Sequence, residues 1–318
     1  MGAAFFYIIF NPAASSGMSV NIFKKVRARL DNEHIPYEIK VSRYAGHAVQ
    51  LARQIGSFGK QENAVLMVIG GDGTLNQAIC GLRKTRQKDM PVAYIPAGSG
   101  NDFARGIKMA QDPMKALDQV LAADKPLRLD IGQYTEATRD ESGIFVNNIG
   151  VGFDGSVIAA TNRSRYKRVL NRVHLGSLSY VAGVVRVFFS RKPFPVAVTV
   201  DGQRTLIQRA FLVTTTNHPY FGGGIKILPI ATPDDGKLDL IVVEQLNIPY
   251  FFFLLVQMLR NKHFKYKAVH HFASPHIHLE TTSLEFGQMD GEEMGSRPFE
   301  LDFTVTQQNF WIKREMDK

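Results

Sequence analysis

Ala64-Val65-Leu66-Met67-Val68-Ile69 runs directly into Gly70-Gly71-Asp72-Gly73-Thr74-Leu75-Asn76, and the reading of this stretch decides the fold. An apolar run of strand length that stops at glycine predicts a buried strand over 64–69, and the pattern over 75–82 predicts a helix. Three glycines within four positions let backbone N–H groups approach oxyanions closely, and the helix amino terminus adds favourable partial charge. The loop between strand and helix therefore reads as a phosphate cradle. It lacks the lysine of GxxxxGK[ST], and GxGxxG does not fit it. The plain alternative is a glycine turn that caps a helix.

Outward from this loop the same alternation continues. Strands are predicted over 5–10, 37–41 and 92–95, helices over 20–32 and 45–54, and a further helix starts at 102–106. Such βαβα order predicts a doubly wound parallel sheet with its ligand loops at the carboxyl ends of the strands. Each of those ends carries small polar residues: Asn11-Pro12-Ala13-Ala14-Ser15-Ser16-Gly17, Ser42 with Gly46-His47, and Pro96-Ala97-Gly98-Ser99-Gly100-Asn101-Asp102-Phe103-Ala104-Arg105. Asn101 or Asp102 could also serve simply as a helix cap. From about Leu129 the pattern changes to short strands, over 144–147, 196–200, 210–215, 238–243, 277–280 and 301–304. This half reads as mainly β, with helical insertions in 161–192 and at 248–260.

The 318 residues allow two domains and a large core. Thirty-eight Lys and Arg against 29 Asp and Glu give a net charge of +9, which favours an anionic partner. Residues 161–192 hold Arg163, Arg165, Lys167, Arg168, Arg172, Arg186, Arg191 and Lys192 and no acid, so nearly all the excess sits in one tenth of the chain. Lone Cys80 excludes an internal disulfide and fits a reducing, cytoplasmic location. The apolar amino terminus lacks a basic flank and a cleavage site and reads as a strand. No run reaches the ~20 residues needed to span a bilayer.

Taken together, these motifs resemble the catalytic domain of the diacylglycerol kinase family, the soluble lipid kinases that also include sphingosine and ceramide kinases. Asn11, Pro12 and Gly17, Ser42 with Gly46-His47-Ala48, the GGDGTLN loop and 96–105 carry the likeness. Phe153-Asp154, Tyr220 with Gly222-Gly223-Gly224, Pro229 with Ala231, Asp234-Asp235-Gly236-Lys237-Leu238-Asp239 and Asp290-Gly291-Glu292 continue it in order. The resemblance implies an ATP-binding α/β domain over 1–130 plus about 306–318, and a β-sandwich-like lipid domain over 131–305. It implies that ATP contacts Asn11, Pro12, Ala13, Ala14, Ser15, Ser42, Gly71, Asp72, Gly73, Thr74, Leu75, Asn76, Gln77 and Ser99. NPAASSG stands where NPxSG is usual, and Ser42 and Ser99 keep the hydroxyl of a common Thr.

Asp72 and Asp102 are the carboxylates expected to hold a catalytic Mg²⁺, since phosphoryl transfer depends on charge neutralisation and positioning. A second, structural Mg²⁺ is implied at Asp235, Thr232 and Lys237, linked through water to Asp130. Glu292 matches the general base, with Asp290 the competing candidate. The implied reaction gives phosphatidic acid from diacylglycerol; a sphingosine-like lipid, a polyprenol or an NAD-kinase-like soluble substrate is the alternative. A homodimer is implied by bacterial members. The basic stretch, through Arg163, Arg165, Lys167, Arg168 and Arg172, is expected to meet an anionic membrane surface and not nucleic acid, which places the protein peripherally on the inner face of the membrane. The aromatic run Tyr250-Phe251-Phe252-Phe253 reads as a packed helix or part of a lipid cleft in preference to a membrane insert. His270, His271, His276 and His278 show no metal-ligand spacing.

Overall fold

The computed structural model describes residues 5–59, 61, 63–153 and 192–314. Strands β1 (Phe5–Phe10), β2 (Tyr37–Val41), β3 (Ala64–Gly70) and β4 (Val92–Pro96) alternate with helices α1 (Ser19–Asn32), α2 (His47–Phe58) and α3 (Asp72–Arg83), followed by α4 (Asp102–Gly106) and α5 (Pro113–Leu121). The strands pair in parallel in the order β2-β1-β3-β4. Every residue of β3 is buried, because helices cover both faces of the sheet, α2 lying against α3 and α1 against α5. The order reverses between β1 and β3, and their carboxyl ends therefore open a crevice between diverging loops.

The second half comprises β5 (Leu127–Glu136), β6 (Glu141–Phe145), β7 (Asn148–Gly152), β8 (Phe194–Val200), β9 (Gln203–Thr216), the short hairpin β10 (Tyr220–Phe221) and β11 (Ile225–Lys226), β12 (Leu238–Glu244), helix α6 (Ile248–Leu259), β13 (Val269–Ser274), β14 (His276–Thr281), β15 (Glu285–Met289), β16 (Glu292–Arg297) and β17 (Glu300–Phe310). These strands form an antiparallel, sandwich-like layer around Phe145, Val196, Leu240, Leu279 and Phe299. β17 joins the halves. It pairs with β5 along 301–310, and at its end Phe310 meets Val92 of β4 in parallel. Phe310, Trp311 and Ile312 bury themselves in the first core with Phe6, Val68 and Leu75. β5 runs unbroken across position 130.

The single strand expected over 144–147 is divided: β6 ends at Phe145 and β7 begins at Asn148. The break has a cause, since the N–H groups of Val146, Asn147 and Asn148 leave the ladder to donate to the Asp290 carboxylate. Helix α5 was not expected from the apolar pattern; Asp112 caps it by accepting from Met114 N and Lys115 N, with Pro113 in its first turn. Neither Asn101 nor Asp102 caps α4 with its side chain. The basic stretch with Arg163, Arg165, Lys167, Arg168 and Arg172, and Asp154 with it, lies outside the described residues; Lys192 alone of that run is inside them.

His218 sits where the halves meet. It is fully buried, its Nε2 lies 2.7 Å from Asn147 Oδ1, and its Nδ1 accepts from Tyr220 N at 3.2 Å. The second contact places the ring proton on Nε2, so the neutral imidazole satisfies both neighbours. Its ring fills the space over Gly106 of α4, where a Cβ would come within 2.5 Å of His218 Cγ. Burial pushes its pKa from 6.5 down to about 4. The folded state thus resists a proton that the unfolded chain accepts below pH 6.5. Stability is whole above that pH and falls toward about pH 4, by about 3 kcal/mol at ~1.4 kcal/mol per pH unit. Urea unfolding of wild type and His218→Gln at a series of pH values checks this. The variant is expected to show a shallower loss on acidification, and parallel curves would remove His218 from the account.

Candidate active site

A crevice of about 620 Å³ opens at the carboxyl ends of β1 to β4, lined by Asn11–Ser15, Ser42, Gly71, Gly73, Thr74, Gln77 and Gly98, with Glu292 entering from the second half. Local interactions shape each wall. Asn11 accepts from Ala13 N through Oδ1 and donates to Thr74 Oγ1 at 2.9 Å, which ties the first loop to the third. Ser19, wholly buried, donates to the carbonyls of Asn11 and Pro12. Ser15 and Ser16 both adopt positive φ, 47° and 55°, ahead of Gly17 at 97°. Left-handed geometry at a non-glycine residue costs about 1–2 kcal/mol, and strain of this kind concentrates where backbone N–H groups are held for a ligand.

The third and fourth loops touch backbone to backbone. A Cβ on Gly98 would lie 2.6 Å from the Gly71 Cα, so only glycine permits this approach. Asn101, at φ 53°, binds Gly98 at both ends of its amide, accepting from Gly98 N at 2.9 Å and donating to Gly98 O at 3.0 Å. Two carboxylates converge beside this contact. Asp72 accepts from Asp102 N at 2.8 Å and lies 3.2 Å from the Tyr94 hydroxyl; Asp102 accepts from Gly223 N at 2.8 Å and pairs with Arg105. Both approach Gly100, where a Cβ would sit 3.8 Å from Asp72 Oδ2 and 4.0 Å from Asp102 Oδ2. Burial pushes the Asp72 carboxyl up to about 6, the Asp102 and Asp290 charges act in the same direction, and the hydrogen bonds from Asp102 N and Tyr94 oppose them. Two neighbouring acidic groups, with Arg105 paired to Asp102, form a setting that favours a further cation.

Asp290 and Glu292 behave differently. Asp290 and Gly291 both have positive φ, as a two-residue turn between β15 and β16 requires. The Asp290 carboxylate accepts four hydrogen bonds, from Val146 N and Asn76 Nδ2 on one oxygen and from Asn147 N and Asn148 N on the other. Glu292 is exposed to the crevice, where its Oε1 accepts from Gln77 Nε2 at 3.0 Å. Gln77 in turn accepts from Gly46 N, so one side chain spans from the second loop to Glu292.

The structure brings most of the expected nucleotide contacts to the crevice and sets four elsewhere, Asp72 among them, beside Asp102 and Tyr94. Because α3 starts at Asp72, Leu75 points into the core and Asn76 toward Ile144 O and Asp290; Ser99 is exposed and does not line the crevice. Arg43, Tyr44 and Ala45 line it and were not foreseen; Tyr44 stacks on His47 with ring centroids 4.4 Å apart. Tyr94 was also missed, because an aromatic residue inside an apolar strand reads as core. At the 232–237 turn the link to Asp130 is direct. Gly236 N donates to Asp130 Oδ2 at 2.7 Å and Gln307 Nε2 to Oδ1, while Asp235 accepts from Lys237 N. The turn thus keeps its shape through these bonds.

A parallel-sheet domain with a crevice at the carboxyl ends of its strands, joined to a β-sandwich domain from which Glu292 enters that crevice, is an architecture that comparison with known proteins assigns to the two-domain kinases. The chain belongs to the diacylglycerol kinase family: residues 6–134 match the diacylglycerol kinase catalytic domain, and 147–308 match the YegS C-terminal NAD kinase beta sandwich-like domain. It is 30% identical over 301 residues to YtlR of Bacillus subtilis (strain 168), which its name assigns to the lipid kinases, covering 93% of this chain and 95% of that protein. It is 28% identical over 303 residues to the diacylglycerol kinase of the same strain, covering 92% and 91%. A solved structure of a diacylglycerol kinase from Bacillus anthracis str. Sterne shares the fold, with a TM-score of 0.67, 20% identity and 97% of both chains covered. Membership of this kinase family implies ATP as the phosphoryl donor.

Proposed function

We propose that the protein transfers the γ-phosphate of ATP, with Mg²⁺, to the hydroxyl of diacylglycerol or a similar membrane lipid, giving phosphatidic acid. The observation that carries this reading is the position of Glu292, held by Gln77 at the mouth of the crevice and on the side of the β-rich half. An acceptor hydroxyl at this mouth would lie between the Glu292 carboxylate and the phosphate cradle. Glu292 would take its proton as the new P–O bond forms and the bond to the leaving ADP oxygen breaks. The nucleotide would run along Asn11–Ser15, Ser42, Gly71, Gly73, Thr74 and Gln77, with the exposed Tyr44 ring as one wall.

The pair Asp72 and Asp102 fits a hard divalent cation, being two neighbouring carboxylates that offer oxygen donors beside Gly100. Bound there, Mg²⁺ would neutralise charge on the transferring phosphates. Tyr94, Asn101 and Gly223 would keep the two carboxylates in place.

Transfer from radiolabelled ATP to a panel of diacylglycerol, sphingosine, ceramide, polyprenol and NAD tests the reading. Labelled phosphatidic acid is expected, with loss of at least ~10²-fold in Asp72→Asn, which keeps the side-chain shape but loses the charge. Transfer to NAD alone would make the protein a soluble-substrate kinase. No transfer to any lipid, with Asp72→Asn like wild type, would remove the proposal.

A further inference from the structure

Helix α6 (Ile248–Leu259) is apolar on every side, its only polar residue being Gln257 after the start at Asn247. A helix apolar all round is ordinarily enclosed. Here only Leu254 is buried, against Ile227, Leu228 and Ile241. Ile248, Phe252, Phe253, Val256 and Leu259 are exposed, Phe252 by 55% and Leu259 by 69%. Ile248, Phe252, Val256 and Leu259 follow at spacings of four, four and three, so they form one continuous stripe along the outer face. At ~1.5 Å per residue the helix is about 18 Å long, too short to cross a hydrocarbon core of ~30 Å.

The chain after the helix names the covering partner. Arg260, Lys262, Lys265 and Lys267 are all exposed, and no Asp or Glu occurs between Glu244 and Glu280. A second copy of this chain packed stripe to stripe would bring two such cation clusters together. An anionic lipid surface accepts the stripe among its acyl chains and the cations among its headgroups.

The helix is also mechanically close to the crevice. α6 packs on β11, and Leu254 and Met258 share a cluster with Phe221 and Ile227; the hairpin between β10 and β11 carries Gly223, whose N–H binds Asp102. We propose that α6 lies in the membrane interface as a docking helix, its stripe of Ile248, Phe252, Val256 and Leu259 inserted in an anionic bilayer and its flanking cations on the headgroups, which presents the Asp102 side of the crevice to the lipid. This deepens the lipid-kinase reading and rests on it for the purpose of docking, though not for its measurement. The run Phe251-Phe252-Phe253 thus changes meaning: the sequence favours a packed helix, whereas the structure leaves Phe252 and Phe253 exposed.

The test uses the full chain and vesicles of phosphatidylcholine with and without phosphatidylglycerol. Wild type is expected to float with the phosphatidylglycerol vesicles. The triple variant Phe252→Gln, Val256→Gln, Leu259→Gln should bind at least ~10-fold more weakly, and Lys262→Gln, Lys265→Gln, Lys267→Gln should lose the preference for the anionic lipid. Both variants should phosphorylate a short-chain diacylglycerol dissolved below its micelle concentration as wild type does. Phe252→Trp, a milder change, should give indole emission that shifts to the blue when vesicles are added. Equal vesicle binding by wild type and both multiple variants would overturn the proposal, as would an unshifted emission, or a wild-type dimer that the apolar variant converts to monomer. If vesicle binding is lost as expected while no lipid is phosphorylated by any form, docking stands and the kinase reading fails.

Discussion

Glu292→Gln is expected to lower the rate of lipid phosphorylation by 10²–10⁴-fold, the usual contribution of a positioned general base, and to leave nucleotide affinity within about twofold. The amide keeps the size of the side chain and can still meet Gln77, but it cannot take a proton from an acceptor hydroxyl. Because Glu292 is exposed and its carboxylate meets the half-buried Gln77 amide at 3.0 Å, the thermal midpoint should stay near that of wild type. The effect should fall on kcat, since the residue would act on the reacting proton and not on ATP. Steady-state kinetics with diacylglycerol, together with binding of a non-hydrolysable ATP analogue, makes the measurement. A kcat within about threefold of wild type would remove Glu292 from the reaction.

Asp290→Asn, two positions away, is expected to fail in the opposite manner, with a loss of roughly 2–5 kcal/mol of stability. Each Asp290 oxygen accepts two hydrogen bonds, three of the four donors being backbone N–H groups of 146–148 and the fourth Asn76 Nδ2 from α3. An asparagine offers one oxygen, and its NH₂ would face two donors, which leaves those donors unsatisfied at ~1–3 kcal/mol each. Burial raises the Asp290 carboxyl above 3.8, and the four donors offset this only in part. Asn76 and Asp290 belong to different halves, so the variant should also loosen the approach of Glu292 to the crevice. Urea unfolding of Asp290→Asn and Glu292→Gln side by side separates the competing candidates for the base: the first should shift the midpoint and the second the rate. An Asp290→Asn protein as stable as wild type but inactive would assign the chemistry to Asp290 instead.

Much of the fold was legible in the chain because its signals are local. The apolar run 64–69, the glycines that stop it and the repeated strand-loop-helix spacing are each read within a dozen residues; β1 and β2 begin and end where the pattern places them, and α4 begins there. Long pairings were less legible. β13, β15 and β16 lack a continuous apolar alternation, and β17 extends to Phe310 where the pattern suggested a stop at 304, because its later residues alternate for a partner, β5, more than 160 positions away. His278 illustrates the same limit. Spacing along the chain shows no ligand set, whereas the pairing of β14 with β17 brings His278, Glu280 and Glu300 within 4.8 Å of one another, with Asp302 bonded to His278 Nδ1 at 3.1 Å.

What the amino-acid sequence determined by itself was the parallel nucleotide-type domain, the β-rich second half and the loops that line the crevice, since backbone N–H cradles depend on glycine, small polar residues and helix starts that sit next to one another in the chain. The tertiary structure alone decided how Asp290-Gly291-Glu292 divides its two acids. A turn with positive φ at Asp290 and Gly291 sends one carboxylate to donors at 76 and 146–148 and leaves the other at the crevice beside Gln77. It likewise decided that α6, apolar but for Gln257 and the Tyr250 hydroxyl, shows its stripe to the outside. A carboxylate's task and a helix's hidden face depend on neighbours brought from far along the chain, and no local pattern of residues encodes who those neighbours are.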